Sequence, residues 1–409
     1  MAYRDRLSVS EDANKSKENK LRKSLTAIAA LLAAVGIPSA ADAASSVSVY
    51  GLIDSYVSVN NDSGTVSSGL HSGGSSGNYF GFKGEEDLGV LGGAQAVFKL
   101  ESGFLSDDGT YAQSFAGNTS RLFHREAWVG LRSPMFGQIS FGRQYSPHFL
   151  LWPMTDANAL SLGTAGSPFF YPGAGNAMGG SDPTQDDLVR ANNSIFWASP
   201  NLGGVTVMAY AALGENTRSD GTKSSTQGNI YNLGVNYGKG PLFVMGSVLY
   251  QNLGNSALGF RPTGHDTYYE LAASYDFGRF KVMGGYNRAE HQYQYAYATF
   301  NENLYSMTTA SGEALKKGIS SDQAWIGIRV PINQYEVVAQ YQYLDGKVKD
   351  DGTKFKRHVL ALGGYYYMSK RTLMYADVSQ SIGRGALSWD NGGSDTNYTA
   401  FQVGMTHFF

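Results

Sequence analysis

The sequence predicts an all-β chain that forms a sixteen-stranded antiparallel transmembrane β-barrel with an inward-folded third loop. Three observations predict this fold. Apolar and polar residues alternate with a period of two through nearly the whole chain, which indicates strands with one apolar face. The connections between these segments alternate between short and long. The last segment places its apolar residues on one face and stops on an aromatic residue, Phe409.

The first segment after residue 43 shows the alternation clearly. Val47, Val49 and Ile53 fall on one face of a strand, while Ser48 and Asp54 fall on the other. The pattern recurs at residues 94–101, 323–330, 335–343 and 401–409. We expect the apolar face of each strand to point outward and the polar face to point inward, as in a barrel that crosses a membrane.

The connections divide into two length classes. Turn-like connections lie at residues 87–93, 133–137, 199–204, 238–241, 278–279, 331–334 and 368–371. Long polar or Gly/Ser-rich connections lie near residues 60–78, 104–122, 146–188, 215–228, 252–266, 292–320, 346–354 and 383–397. These seven short and eight long connections join sixteen strands. This arrangement is typical of a bacterial outer-membrane barrel with both termini on the periplasmic side, and sixteen strands enclose an aqueous channel.

The composition excludes several classes of protein. The chain has 409 residues, a formal net charge of −2 and no cysteine, so neither a nucleic-acid partner nor a disulfide or thiolate metal site is expected. It contains 51 Gly, 27 Tyr and 21 Phe. A mean hydropathy of −0.26 is too polar for a helical membrane protein. A secreted β-sandwich or solenoid fits the composition as well, but the alternation of connection lengths favours the barrel.

The N-terminal residues 1–43 form a signal peptide with an N-terminal extension, and residues 44–409 form the barrel. Basic residues at Lys20 to Lys23 precede an apolar stretch from Ser24 to Ile37, and Ala41 to Ala43 has the small-x-small pattern of a cleavage site. The apolar stretch is too short to span a bilayer as a helix. We therefore expect this part to be an export signal.

The connection over residues 146–188 is the expected constriction loop. A gap of that length without periodicity is normally functional, and its Gly, Pro and aromatic residues indicate packing rather than disorder. Arginines on its flanking strands and acids within the loop carry opposite charges that can face each other across a space: Arg125, Arg143 and Arg190, and Asp156, Asp182, Asp186 and Asp187. We expect the loop to fold into the barrel lumen.

The candidate pore-lining residues are charged side chains on predicted strands and in this loop: Arg125, Arg143, Arg190, Lys83, Lys99 and Asp156. A charge on the lipid face near the bilayer midplane costs about 2 to 4 kcal/mol, so such residues should point into water. Charges that line a narrow pore set its ion selectivity. The alternative for each is a strand end, the headgroup level or a brace for the loop. Glu85 to Asp87 fits a solvated turn or a weak Ca²⁺ site.

Six segments carry a resemblance to a known family. They are Ser46–Gly51 (SVSVYG), Phe80–Gly89 (FGFKGEEDLG), Arg125–Leu131 (REAWVGL), Phe136–Gly137, Phe141–Tyr145 (FGRQY) and Val403–Phe409 (VGMTHFF). In this order and spacing the chain resembles a general trimeric Gram-negative outer-membrane porin of the beta-proteobacterial and neisserial type. The resemblance implies a homotrimer in outer-membrane lipid and lipopolysaccharide, without cofactors, and a wall arginine cluster that opposes an acidic loop. Tyr79 stands where relatives commonly have arginine.

The resemblance implies passive diffusion of small hydrophilic solutes and ions, and no catalysis. The alternative is a substrate-selective channel, in which Trp152, Phe169, Phe170 and Tyr171 would stack on solutes. A third interpretation gives the external loops an adhesive role. The sequence lacks the metalloprotease, phosphate-loop and nucleophile-elbow motifs, so an enzyme is not expected. Whether the channel prefers anions or cations is left open by the sequence.

Overall fold

The computed structural model describes residues 45–62, 64–90, 92–110, 122–158, 189–214, 229–252, 265–292, 317, 319–385 and 396–409. The expected signal peptide and extension, residues 1–43, lie outside these ranges. Among the described residues, no helix has the length and hydropathy needed to cross a membrane.

Strands make up nearly all of the described structure. In chain order they are β1 (Ser45–Asp62), β2 (Thr65–Ser72), β3 (Tyr79–Asp87), β4 (Gln95–Gly103), β5 (Glu126–Ser133), β6 (Gly137–Tyr145), β7 (Arg190–Ala198), β8 (Val205–Ala212), β9 (Ile230–Lys239), β10 (Leu242–Asn252), β11 (His265–Asp276), β12 (Lys281–Gln292), β13 (Ile319–Ile332), β14 (Tyr335–Val348), β15 (Lys354–Tyr367), β16 (Thr372–Gly385) and β17 (Thr396–Phe408). After β6 come a short helix α1 (Pro147–Leu151) and a 3₁₀ turn (Trp152–Met154).

The strands form one closed antiparallel sheet. From β3 onward each strand pairs with the next along the chain, and β17 returns to pair with β1 from Leu52↔Phe408 to Asp62↔Tyr398. The backbones of Gly51 and Phe409 continue this seam with two hydrogen bonds of 3.1 Å. Closure leaves no free sheet edge at the seam, as a membrane-spanning sheet requires.

Seventeen strand segments fill sixteen positions in this barrel, because β2 and β3 share the second one. β2 pairs with β1 from Asp62↔Thr65 to Ser55↔Ser72, and β3 pairs with it from Leu52↔Tyr79 to Ser45↔Glu86. The sixteen-strand prediction is confirmed, as are the seven short turns. The long connection expected at 60–78 is wrong in part. β1 runs on to Asp62, and hydrogen bonds to β1 hold the polar segment 65–72 as a strand.

The break between β2 and β3 is fastened to the barrel seam by Asp54, which is fully buried. Its carboxylate accepts hydrogen bonds from the backbone N–H groups of Gly74 (2.8 Å) and Ser75 (3.1 Å). It also accepts from the hydroxyls of Tyr375 (2.7 Å) and Thr406 (2.6 Å), which lie on β16 and β17. One side chain therefore ties the interrupted strand position to both strands that close the barrel.

The predicted faces of the strands are confirmed. On β1, Val47, Val49 and Ile53 are exposed on the outer surface, while Asp54 and Ser58 are buried on the inner one. The same alternation continues to β17, where Phe401, Val403, Met405, His407 and Phe409 lie outside and Gln402 and Thr406 inside. The inner faces of β1 and β17 are polar, as expected for strands around a lumen. Strands β7 to β11 also bury an apolar cluster that includes Phe196, Ile230, Leu249 and Tyr268.

Candidate functional site

The lumen wall between β3 and β5 carries a dense group of charges around Glu101. Arg125 donates from Nε to Glu101 Oε1 at 2.6 Å, and Lys99 Nζ lies 3.2 Å from Glu101 Oε2. Lys99 also contacts Glu126. The Tyr50 hydroxyl donates to Glu101 Oε2 at 2.9 Å. Glu101 and Glu126 are both buried, so these acids neutralise part of the basic wall.

Arg125 directly precedes β5, so the alternation of faces along that strand does not fix the direction of its side chain. From the bend before the strand, its guanidinium lies over the ring of Tyr79 with 4.8 Å from Cζ to the ring centroid. Glu126, the first residue of β5, also reaches the lumen and accepts a hydrogen bond from Trp128 Nε1 at 3.0 Å. The two neighbours therefore point to the same charge cluster despite their opposite parity. The ring of Tyr79 therefore packs against the guanidinium of Arg125.

Lys83 joins the same cluster across the sheet. β3 and β4 pair Lys83 directly with Lys99. The two ammonium groups lie 5.1 and 5.7 Å from the centroid of the Tyr50 ring. Tyr50 thus offers both lysines its aromatic face and donates its hydroxyl to Glu101. A cation over an aromatic face is stabilised by about 0.5 to 2 kcal/mol, depending on its hydration.

Arg143 and Arg190 extend the basic wall on β6 and β7. Arg143 donates from Nε to the backbone oxygen of His124 and from Nη1 to Asn192 Oδ1 at 3.0 Å. Arg190 stands opposite Tyr145 in the sheet, and its guanidinium lies 5.0 Å from the centroid of that ring. Both arginines are largely buried at the wall.

His124 lies among the three arginines, and sequence reasoning did not single it out. It occupies the connection before β5, outside the strands, and its side chain is buried. Burial, followed by the positive charges of the cluster arginines, lowers the pKa of the His124 imidazole to about 3. This histidine is neutral at physiological pH, so the charge of the cluster comes from the arginines and lysines.

The chain after β6 folds inward, as predicted. The Ser146 hydroxyl caps α1 by accepting from the Phe149 backbone N–H at 3.4 Å. The backbone N–H of His148 donates to Asn232 Oδ1 on β9 at 2.8 Å, and His148 Nδ1 lies 2.8 Å from Glu270 Oε2 on β11. Both partners point from the inner face of the wall, so α1 lies inside the barrel.

The next residues reach the wall at β13 and β14. The Trp152 ring stacks on Trp325 with centroids 5.0 Å apart, and Trp325 Nε1 donates to the Thr155 oxygen at 2.8 Å. The Ala157 N–H donates to Gln340 Oε1 at 2.8 Å. The sheet order places β13 and β14 half a barrel away from β4 to β6. The inward segment, residues 147–158, therefore passes from one side of the lumen to the other.

The structure describes two of the predicted acidic and aromatic residues of the loop, Asp156 and Trp152. Asp156 is 0% exposed, and its Oδ1 accepts from the Asn158 N–H at 3.0 Å. The acids described beside the basic cluster are instead Glu101 and Glu126. Trp152 is buried against Trp325, so its ring anchors the segment and is not free to stack on a solute. Other loop residues singled out above lie outside the described residues: Asp182, Asp186, Asp187, Phe169, Phe170 and Tyr171.

The acidic turn at the end of β3 behaves as a surface feature. Glu85 is exposed and pairs with Arg132, a residue near the end of β5 that is 45% exposed. The Asp87 carboxylate accepts from the Gly89 N–H at 3.0 Å within the turn. In the part of the chain that the structure describes, no three His, Asp or Glu side chains converge as metal ligands.

A closed barrel with an apolar exterior, a charged polar lumen and a segment folded inward defines a transmembrane channel protein. Comparison with known proteins identifies the family. A model of the Gram-negative porins matches residues 27–386, and the chain belongs to that family. It is an outer-membrane protein of a Gram-negative bacterium that forms a water-filled channel for passive diffusion of small hydrophilic solutes and ions.

Individual relatives span the whole barrel. An outer membrane porin protein of Bordetella pertussis is 30% identical, and outer membrane porin protein 32 of Delftia acidovorans is 31% identical; each match covers 95% of this chain and 100% of the relative. Among solved structures, an anion-selective porin from Comamonas acidovorans matches with a TM-score of 0.69 and 25% identity, over 90% of this chain and 100% of the other.

Proposed function

We propose that this porin favours anions and that the basic cluster on the wall sets the preference. The cluster consists of Lys83, Lys99, Arg125, Arg143 and Arg190, and the acids in contact with it are Glu101 and Glu126. The observation that carries the proposal is the group of three arginines around one neutral histidine. With five bases against two acids, the wall has an excess of positive charge.

The excess of positive charge on the wall acts on ions that pass through the channel. Low-dielectric walls around a narrow aqueous path focus the field of wall charges and raise the local concentration of counter-ions. The inward segment narrows the path opposite the cluster, so we assign residues 146–188 the role of the constriction loop. The similarity to a porin described as anion-selective supports the same assignment.

We further propose that the channel assembles as a homotrimer. Strands β3 to β8 contain only 8 or 9 residues, whereas β13 to β16 contain 14. A strand needs about 9 to 11 residues to cross a bilayer, so the β3–β8 wall is at the lower limit. In an oligomer, a second copy of the chain would cover the β3–β8 wall and shield it from lipid. The mass of the protein in its detergent complex tests this assembly.

The proposal gives the protein no catalytic activity, in agreement with the lack of catalytic motifs in the sequence. It also assigns export to residues 1–43, whose basic, apolar and small-residue pattern is that of a cleaved signal.

The test is the reversal potential of single channels in a salt gradient, measured on refolded protein. We expect wild-type protein to prefer anions. Arg125→Gln combined with Arg190→Gln shifts the reversal potential toward cations, because two positive charges leave the wall. Glu101→Gln shifts it toward anions, because the acid between Arg125 and Lys99 is neutralised.

Arg132→Gln is the matched control, since Arg132 lies on β5 but pairs with Glu85 at the exposed periplasmic end. It should leave the reversal potential unchanged. Equal shifts in the control and the cluster variants, or a cation preference of wild type, would contradict the proposal. Small currents that one class of solute blocks would favour the substrate-selective alternative instead.

A further inference from the structure

One row of side chains crosses the lumen wall where β3, β4 and β5 lie side by side. Lys83 on β3 is paired in register with Lys99 on β4, and Lys99 is paired with Trp128 on β5. Residues that are paired directly across strands share one face of a sheet. Because Lys99 contacts both buried acids of the lumen wall, the three side chains of this row all belong to the lumen.

The indole of Trp128 is fixed in direction, but its faces carry no other ring. Its Nε1 donates to Glu126 Oε1 at 3.0 Å, and the side chain is partly exposed. The rings of Tyr50, Tyr79 and Tyr145 on the same wall each lie under a cation. Among the residues that the structure describes, neither a cation nor an aromatic ring covers Trp128 in this way. An indole with an open face can stack on a planar solute.

The wall beside Trp128 is lined by small residues. The row continues from Trp128 to Gly142 on β6 and then to Ser194 on β7. Glycine has no side chain, and the short side chain of Ser194 is buried in the wall. The next two members of the row are therefore too small to cover the indole, which leaves room for a solute beside it.

Lys83 supplies a positive charge at the other end of the row. It is exposed, and within the described part of the chain it forms no ion pair. Lys99 differs, because its ammonium contacts two acids. Glu85, two residues farther along the same face of β3, pairs with Arg132. The ring of Tyr50, 5.1 Å from the Lys83 ammonium, holds this group without neutralising it. Lys83 can therefore bind a carboxylate in the lumen.

We propose that Lys83 and Trp128 form a binding site for planar aromatic carboxylates, a class of solute that benzoate represents. The backbones of β3 and β5 are two strand spacings apart, about 10 Å, and the long side chain of Lys83 can shorten the distance to the indole. The ammonium then binds the carboxylate while the indole stacks on the ring that carries it. A charge-assisted hydrogen bond and an aromatic contact together select a solute that has both groups.

The site lies in a channel that stays open to other ions. The inward segment narrows the path opposite this wall, so a solute in transit passes close to Lys83 and Trp128. Stacking prolongs the stay of an aromatic anion relative to chloride, and the chloride current therefore falls only in part. The inference rests on the proposed anion preference, because a lumen that favours cations would exclude the carboxylate.

The experiment compares benzoate with cyclohexanecarboxylate as blockers of the chloride current through single channels of the refolded full-length protein at neutral pH. The two solutes have the same charge, but only benzoate has an aromatic ring. Cyclohexanecarboxylate has the more apolar ring, so hydrophobic contact alone would make it the stronger blocker. Stacking reverses this order. We expect the half-blocking concentration of benzoate to be roughly two- to tenfold lower than that of cyclohexanecarboxylate.

Three variants test the two residues separately. Trp128→Leu should remove the advantage of benzoate over cyclohexanecarboxylate. Trp128→Phe loses the indole N–H but keeps an aromatic face, and it should retain most of the advantage. Lys83→Gln should weaken the block by both carboxylates and preserve their order, because both solutes use the ammonium. The matched control is Trp197→Leu, since Trp197 also donates from Nε1 but lies on the outer face of β7. Its advantage for benzoate should equal that of wild type.

Equal block of wild-type channels by the two carboxylates would overturn the inference, and this comparison needs no variant to fold. An advantage of benzoate that survives Trp128→Leu would overturn the assignment to Trp128, and an unchanged block in Lys83→Gln would overturn the assignment to Lys83. The reversal potential of wild type in a potassium chloride gradient separates this inference from the proposed function. Anion preference without a benzoate advantage overturns the inference alone, whereas cation preference overturns both.

Discussion

At the scale of residues, the lumen contains a histidine that is held neutral by its surroundings. His124 is buried, and the guanidinium groups of Arg190, Arg125 and Arg143 disfavour its protonated form, so its pKa falls to about 3. A histidine in the unfolded chain has a pKa near 6.5. The folded protein therefore binds fewer protons at this position than the unfolded chain wherever the pH lies between these two values.

The sign of the resulting pH dependence follows from linkage. Because the folded pKa is the lower one, the contribution of His124 to stability is fully present above about pH 6.5 and is lost as the pH falls toward 3. Between about pH 6.5 and pH 3, we expect the His124→Gln variant to lose less stability than wild type. The measurement is the temperature at which the folded band disappears on gels, at pH 7.5 and pH 4.

His265→Gln is the control for this prediction, since His265 is exposed at the start of β11. Its profile should follow wild type at both pH values. A His124→Gln profile that also follows wild type would contradict the neutral state of His124. If His124 is neutral, it adds no charge to the lumen near pH 6.5. The reversal potential should therefore depend on pH in the same way in wild-type and His124→Gln channels around pH 6.5.

The residue types in the basic cluster were predictable, whereas their partners were not. Arg143, Arg190, Lys83 and Lys99 stand on strands, and Arg125 directly precedes one. Each must keep its charge away from lipid, a constraint that acts on each residue alone. The contacts of Lys99 and Arg125 with Glu101, and of Lys83 and Lys99 with Tyr50, depend on the register between β1, β3, β4 and β5. Register is a non-local property, so alternation along one strand does not reveal it.

At the scale of elements, the inward segment is held by a few specific contacts and not by a continuous sheet. Trp325 supplies two of them, the stack on Trp152 and the hydrogen bond to the Thr155 oxygen. His148 and Asn232 fasten the other end. Sequence reasoning predicted that this segment enters the lumen, gave Trp152 a solute-stacking role only in the alternative of a substrate-selective channel, and predicted Asp156 as the opposing charge. Their burial against the far wall depends on contacts made more than a hundred residues away.

We expect Trp325→Phe to loosen this segment, because it keeps an aromatic stack but removes a hydrogen bond worth about 1 kcal/mol. Trp325→Leu removes both contacts and should have the larger effect. The expected result is increased noise in the open-channel current, in the order wild type, Phe, Leu, with the protein still folded. Single-channel recordings at constant voltage measure it.

Trp197→Phe provides a matched control. Trp197 Nε1 donates to the Phe136 oxygen at 2.9 Å near the short turn of β7, away from the inward segment. This variant loses an equivalent hydrogen bond and should have the noise of wild type. Quiet channels from Trp325→Leu would show that the segment is held without Trp325.

At the scale of the whole molecule, the number of barrel positions was predictable because the turns at one end are short and contain recognisable turn residues. The break in the second position was not. Segment 65–72 is polar, and its exposed Val66 and Leu70 are too few to establish a period. Its strand conformation comes from pairing with β1, and the break itself comes from Asp54, whose partners lie on β16 and β17 at the other end of the chain.

Closure of the barrel should therefore depend on Asp54. Its two carboxylate oxygens accept from Gly74, Ser75, Tyr375 and Thr406, and an amide offers only one oxygen to these donors. Leaving buried donors unsatisfied costs about 1 to 3 kcal/mol for each group. We expect Asp54→Asn to lower the temperature at which the folded band is lost and to reduce the yield of refolded barrel. Asp87→Asn makes the same chemical change in an exposed turn, where Asp87 accepts only from the Gly89 N–H, and should leave both quantities close to wild type. Equal losses in the two variants, or none in Asp54→Asn, would show that backbone pairing between β1 and β17 closes the barrel without the help of this side chain.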